Sequence, residues 1–219
     1  MQKLLLIIIL LMPIAGFTQT SYDLPDGTRM QAYLAIPEGL DGQAPLAIVM
    51  GGGAGDGRIA SGTFESLGQE FVDRGWAVAT PVSPNGQSFF AENGEKVRQL
   101  ITLLKAREGI ADGPVLLSGI SNGGISSLQI ASSHPDEYLG VVAVPAIANN
   151  TTVSNLTDFP VYLRIGSEDQ LGWASRFDST VRTLEDAGAT VNALLVEGGG
   201  HRVPIDWDNL EQWLGSVKE

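Results

Sequence analysis

Short apolar runs alternate along this chain with longer amphipathic stretches. APLAIVM (44–50), WAVATP (76–81), GPVLLSG (113–119), LGVVAVP (139–145), FPVYLRIG (159–166) and TVNALLVEG (190–198) are nearly unbroken apolar segments. Segments of this length without polar alternation predict strands covered on both faces. MQAYLAIP (30–37) alternates instead and predicts an outer strand. Between these runs the period changes. FESLGQEFVDRG (64–75) carries apolar residues at 64, 67, 71 and 72 and stops at Gly75, which predicts a helix. GEKVRQLITLLKAREG (94–109) sets Val97, Leu100, Ile101 and Leu104 on one face. Helices are also expected over 122–133, 174–189 and 204–218. The alternation from residue 44 onward predicts an α/β fold, a mostly parallel sheet with helices on both faces. Such sheets bind ligands beyond the carboxyl ends of their strands. Chemistry is therefore expected in the turns at 51–57, 82–92, 119–123, 145–158, 166–173 and 197–203.

The first twenty residues depart from that pattern. In MQKLLLIIILLMPIAGFTQT, Lys3 precedes an unbroken apolar run from Leu4 to Met12, and small residues follow at Ala15, Gly16 and Thr18. This is the layout of a secretory signal peptide. A bilayer span needs about 20 apolar residues, so a short uncleaved anchor is the weaker alternative. The expected organisation is a signal peptide over 1–19 and a single domain over 20–219, secreted or periplasmic, with no stable membrane insertion once the signal is removed. The chain of 219 residues shows no linker, internal repeat or low-complexity tract. Its net charge of −12, from 25 acidic and 13 basic residues, argues against a nucleic-acid partner, which demands a basic face. There is no cysteine, which removes disulfides, thiolate nucleophiles and cysteine metal sites. With two histidines, a multi-histidine metal centre is not expected either.

The most informative stretch is LLSGISNGG (116–124), where Ser121 stands between Gly119 and Gly123 at the end of a strand and the start of a helix. In a G-x-S-x-G turn the serine occupies a sharp, strained corner, and side chains two places away would strike neighbouring backbone. A serine hydroxyl attacks only with a base to take its proton and a third group to orient that base. His201, in EGGGHRVP after the last strand, is the candidate base. His134, in SSHPDEY, falls at the far end of the helix that follows the serine. In YLRIGSEDQLG, Asp169 lies three residues past Gly166 and is preferred as the acid, with its neighbour Glu168 as substitute. Asp158 precedes that strand and Asp178 falls within a helix. Two donors are needed for a developing oxyanion. The backbone N–H of Asn122 is one, and the N–H of Gly52 or Gly53, in VMGGGAGDG (49–57), is the other. Gly55 to Ala60 also reads G-x-G-x-x-A, a dinucleotide fingerprint, but the next strand ends in ATPV without the acidic residue that a ribose would require.

With GISNG as nucleophile turn, the chain order Ser, Asp, His and a glycine loop after an early strand, the sequence resembles the α/β-hydrolase superfamily. FVDRGWAVATP and ASSHPDEYLGVVAVP look like segments of its dienelactone-hydrolase-like and small secreted esterase branches. The resemblance implies a three-layer α/β-hydrolase fold and a carboxylesterase-like serine hydrolase acting through an acyl-enzyme without a cofactor. Ser121 would be the nucleophile, His201 the base and then the acid, and Asp169 its orienting partner. Peptidase or amidase activity, or a silent binding module on the same fold, are the alternatives. The sequence departs from the family in two places. Met50 stands where many esterases begin the oxyanion loop with histidine, so that loop must be anchored in another way. Serine also replaces the cysteine of dienelactone hydrolases proper. The 145–158 segment, PAIANNTTVSNLTD, leaves no room for a large cap domain, which implies an open site for a small-molecule or polymer ester. Phe89, Phe90, Ile147 and Trp173 sit in loops at the active end and are expected to line its pocket.

Overall fold

The structure, a computed structural model, describes residues 18–40 and 42–217. Residues 1–17 of the expected signal peptide lie outside the described residues, while Thr18 and Gln19 open the first strand. The elements in chain order are β1 (Thr18–Asp23), β2 (Arg29–Ala35), β3 (Leu46–Met50), α1 (Gly57–Thr63), α2 (Gln69–Val72), β4 (Ala77–Val82), α3 (Glu92–Lys105), β5 (Val115–Gly119), α4 (Asn122–Ser133), β6 (Tyr138–Ala143), β7 (Pro160–Gly166), α5 (Phe177–Asp186), β8 (Thr190–Val196) and α6 (Trp207–Val217). They build one eight-stranded sheet in the order β1-β2-β4-β3-β5-β6-β7-β8. From β4 across to β8 every pairing is parallel, and β2 pairs antiparallel with both β1 and β4.

The apolar runs explain this layering. All five residues of β3 are buried. Leu46, Ile48 and Met50 pack on one side with Val97, Leu100 and Leu104 of α3, Leu128 of α4 and Leu184 of α5. Ala47 and Val49 face the other side, with Phe64, Phe71, and Leu210 and Trp213 of α6. A strand sandwiched in this way needs apolar residues at both parities, which is why its sequence does not alternate. Edge strand β8 is different. Leu194 and Leu195 are exposed, so its apolar run is covered on only part of its surface.

Two elements differ from expectation. β1, TQTSYD, buries only Tyr22, and one inward side chain leaves no apolar run to read. The helix expected to begin at residue 64 begins at Gly57. Asp56 caps α1, its Oδ1 accepting the Ile59 N–H at 3.0 Å, and a π-helical turn over Phe64–Gly68 joins α1 to α2. Gly57 and Gly62, both poor helix formers, hide that first part. The glycines of the apparent dinucleotide fingerprint thus belong to a turn and a capped helix start.

The buried Arg164 ties three elements together through neutral acceptors. It donates to Leu163 O at 2.8 Å, Asn192 O at 2.7 Å and Oδ1 at 2.9 Å, and Asn209 Oδ1 at 2.6 Å, and it stacks 3.5 Å from the Tyr162 ring centroid. Burial lowers the pKa of its guanidinium. The β6–β7 connection contains no helix. Among the described residues, no helix is long and apolar enough to cross a membrane.

The sheet fixes where glycine is required. A methyl group on Gly123 would stand 2.1 Å from Met50 O, whereas one on Gly215, in α6, would meet nothing within 4 Å. Overpacking costs about 1–3 kcal/mol and more where rigid backbone cannot yield, while alanine in a helix gains about 0.5–1 kcal/mol over glycine. Thermal denaturation is therefore expected to show a large loss of Tm for Gly123→Ala and a small gain for Gly215→Ala.

Candidate active site

β5 ends at Gly119, and α4 begins three residues later at Asn122. Ser121 joins them with φ 58° and ψ −122°, a conformation that L-residues avoid. The surrounding backbone dictates it. A methyl on Gly119 would lie 2.3 Å from the carbonyl carbon of Gly123, and one on Gly123 would lie 2.6 Å from Gly51 O. The Ser121 N–H is held by Pro145 O at 2.8 Å. Its side chain opens into a cavity of about 560 Å³ shared with Gly52, Gly53 and His201.

The expected acid and base meet. His201 Nδ1 lies 2.8 Å from Asp169 Oδ2, and Asp169 Oδ1 accepts the Leu171 N–H at 2.7 Å. The Asp169 side chain is fully buried, while that of His201 is 21% exposed. A carboxylate can only accept, so in the neutral imidazole the proton sits on Nδ1 and Nε2 keeps its lone pair. The Ser121 hydroxyl forms no hydrogen bond among the described residues, so cavity walls, not a formed bond, bring it together with His201. Serine–histidine bonds of this kind often close only when substrate binds.

The loop carrying His201 is strapped to the turn carrying Asp169. Glu168 N donates to Gly199 O at 2.8 Å, Gly198 N to Ser167 Oγ at 2.8 Å, and His201 N to Gln170 Oε1 at 3.1 Å. Gly166 and Gly199 make this possible, since a methyl on Gly166 would stand 2.1 Å from Gly199 O. Trp173 meets the His201 ring edge-on, with centroids 4.9 Å apart. Glu168 is exposed, and His134 is exposed at the end of α4.

On the opposite wall, Gly52 packs against the turn, where a methyl would come 3.1 Å from Ser121 Cβ. Among the described residues, the N–H groups of Gly52 and Gly53 have no hydrogen-bond acceptor. Asn122 is the first residue of α4, where N–H groups have no partner within the helix. Among the described residues, three donors are thus free around Ser121.

The expected pocket lining requires correction. Phe89, Phe90, Ile147 and Trp173 do not line the Ser121 cavity. Phe89 is wholly buried under Gly55, and Ile147 and Trp173 pack against the core. The walls come instead from Arg58, Ile59 and Leu67 on one side and Val203, Ile205 and Trp207 on the other. Trp207 closes the back by packing on Phe71, with centroids 5.2 Å apart, beneath the guanidinium of Arg74. Trp207 opens α6, outside every strand-end turn, and carries no strand-end signal in the sequence.

No family model matches the sequence, and no curated protein matches it by sequence. In three dimensions, 93% of the chain matches a thermostable esterase at 16% identity with a TM-score of 0.67. A Klebsiella pneumoniae protein assigned provisionally as a dienelactone hydrolase matches 91% of the chain at 16% identity, with a TM-score of 0.70. Pyrococcus horikoshii acylaminoacyl peptidase matches 85% at 14% identity, with a TM-score of 0.64. The chain spans 60% of the esterase, 38% of the peptidase and 99% of the Klebsiella protein. It has the three-layer α/β-hydrolase fold, as its resemblance to that superfamily implies.

The strap between the acid and base turns is open to test. Gly166→Ala is expected to push the 199–200 backbone away and break the Asp169–His201 contact. The downfield Nδ1–H proton resonance expected of a carboxylate-bound imidazole should disappear from the NMR spectrum of this variant.

Proposed function

We infer that this protein is a serine hydrolase that cleaves carboxylic esters through an acyl-enzyme. The observation that carries the reading is the 2.8 Å Asp169–His201 contact, opening on the same cavity as a serine held at positive φ. His201 Nε2 takes the Ser121 hydroxyl proton as Oγ attacks the ester carbonyl carbon. The negative charge that forms on the carbonyl oxygen is met by the N–H of Asn122 and of Gly52 or Gly53. The imidazolium then gives its proton to the departing alkoxide, leaving Ser121 acylated. Water repeats the cycle, with Nε2 again taking the proton and Ser121 Oγ leaving. Asp169 holds the tautomer and offsets the positive charge throughout. Donors already fixed before reaction spare reorganisation when charge develops.

The cavity has apolar walls from Ile59, Leu67, Val203 and Ile205, and among the described residues no cap domain covers it. These features favour small or accessible esters over long lipid chains. The amino-terminal sequence, with Lys3 before its apolar run, supports export to a secreted or periplasmic location as part of the same reading.

A fluorophosphonate probe is expected to label the protein, and Ser121→Ala to abolish labelling. On p-nitrophenyl esters, His201→Ala should lower turnover by roughly 10⁴ or more, while His134→Ala leaves it nearly unchanged. Asp169→Asn should be severe and Glu168→Gln mild. Equal losses from the two histidine variants would contradict the assignment of the base.

A further inference from the structure

We propose that the side chain of Asn122 is a positioning residue that fixes the glycine loop as an oxyanion-binding wall, replacing the anchor that Met50 cannot provide. The inference rests on the serine-hydrolase reading.

Residues 51–53 are consecutive glycines, the segment with most conformational freedom to lose. Gly53 is exposed, has φ +55°, and a methyl there would meet nothing within 4 Å, so packing does not hold it. Both flanks of the loop are fastened. Met50 O accepts from Ile120 N at 3.1 Å, Ala54 O from Ser88 N at 2.9 Å, and Gly55 O from Ser83 N at 2.8 Å. Between these flanks, among the described residues, one bond joins the loop to the nucleophile turn: Asn122 Nδ2 donates to Gly53 O at 3.0 Å. Met50 is fully buried and carries no side-chain donor that could do this.

The consequence is specific. One residue contributes its main-chain N–H to the oxyanion and, through its side chain, sets the loop that presents the second donor. The sheet and the packing of Gly52 set the approach of the loop to the turn, and this one side chain holds Gly53 within it. Substitutions at 122 keep the main-chain donor and remove only the tether.

Asn122→Asp preserves size but sets a carboxylate, which cannot donate, against Gly53 O. Asn122→Ala removes the contact outright. Displacing a donor by a fraction of its working distance costs rate more than affinity, so both variants are expected to lose about 10- to 100-fold in kcat on a p-nitrophenyl ester with KM within about twofold. Binding of a trifluoromethyl ketone, which forms an oxyanion on Ser121, should weaken by the same factor. The ¹⁵N order parameters of Gly52 and Gly53 should fall, while those in β5 stay fixed. A purely packing role would leave Asn122→Asp close to the parent. An Asn122→Asp variant with kcat, ketone affinity and order parameters unchanged would overturn the proposal while the parent still reacts with fluorophosphonate. If the parent itself does not react, the hydrolase reading falls and the oxyanion role falls with it.

Discussion

Main chain presses on main chain at the point where α4 meets the ends of β3 and β5. A methyl group at 119 or 123 would enter the contact distance of the backbone opposite, so the helix starts as near the sheet as atoms allow. The chain must then reverse within a few residues, and Ser121 takes up the turn at φ 58°. A non-glycine residue held there costs roughly 1–3 kcal/mol. The Pro145 carbonyl on its N–H and the burial of the first turn of α4 hold it in place. In this conformation Ser121 lines the cavity that it shares with His201, and Asn122 follows it as the first residue of α4.

The same device recurs across the sheet. Gly166 and Gly199 bring the turns after β7 and β8 into backbone contact, and three hydrogen bonds hold them there. The carboxylate of one turn then reaches the imidazole of the other with no long side chain to order. Two glycine-mediated contacts thus place Ser121 and His201 on one cavity, with the buried Asp169 bonded to the imidazole. Rigid main chain does the positioning, which suits a reaction in which a fraction of an ångström separates fast from slow.

Much of this was legible in the sequence because strand ends and glycines are local signals. Six apolar runs marked strands that the structure contains, and turns after three of them hold Ser121, Asp169 and His201. Position along the chain favours Asp169 over Glu168, and the structure buries the first and exposes the second. What stayed hidden depends on partners distant in sequence. β1 is a strand because β2 pairs with it, and its own residues bury only Tyr22. The start of α1 rests on the Asp56 cap against two unfavourable glycines. The pocket walls depend on how the α1–α2 segment leans toward Trp207, a packing relation between residues more than a hundred positions apart. Aromatic residues near the active end therefore pointed to the wrong wall.

The central claim is that Ser121, His201 and the free N–H groups act on one reacting centre. A crystal structure of the protein after reaction with a fluorophosphonate tests it most directly. The expected result is a covalent bond from phosphorus to Ser121 Oγ, a phosphoryl oxygen within about 3 Å of the Asn122 N–H and of Gly52 or Gly53, and His201 Nε2 facing Oγ. An adduct on another residue, or a phosphoryl oxygen turned toward solvent with the glycine loop untouched, would contradict it.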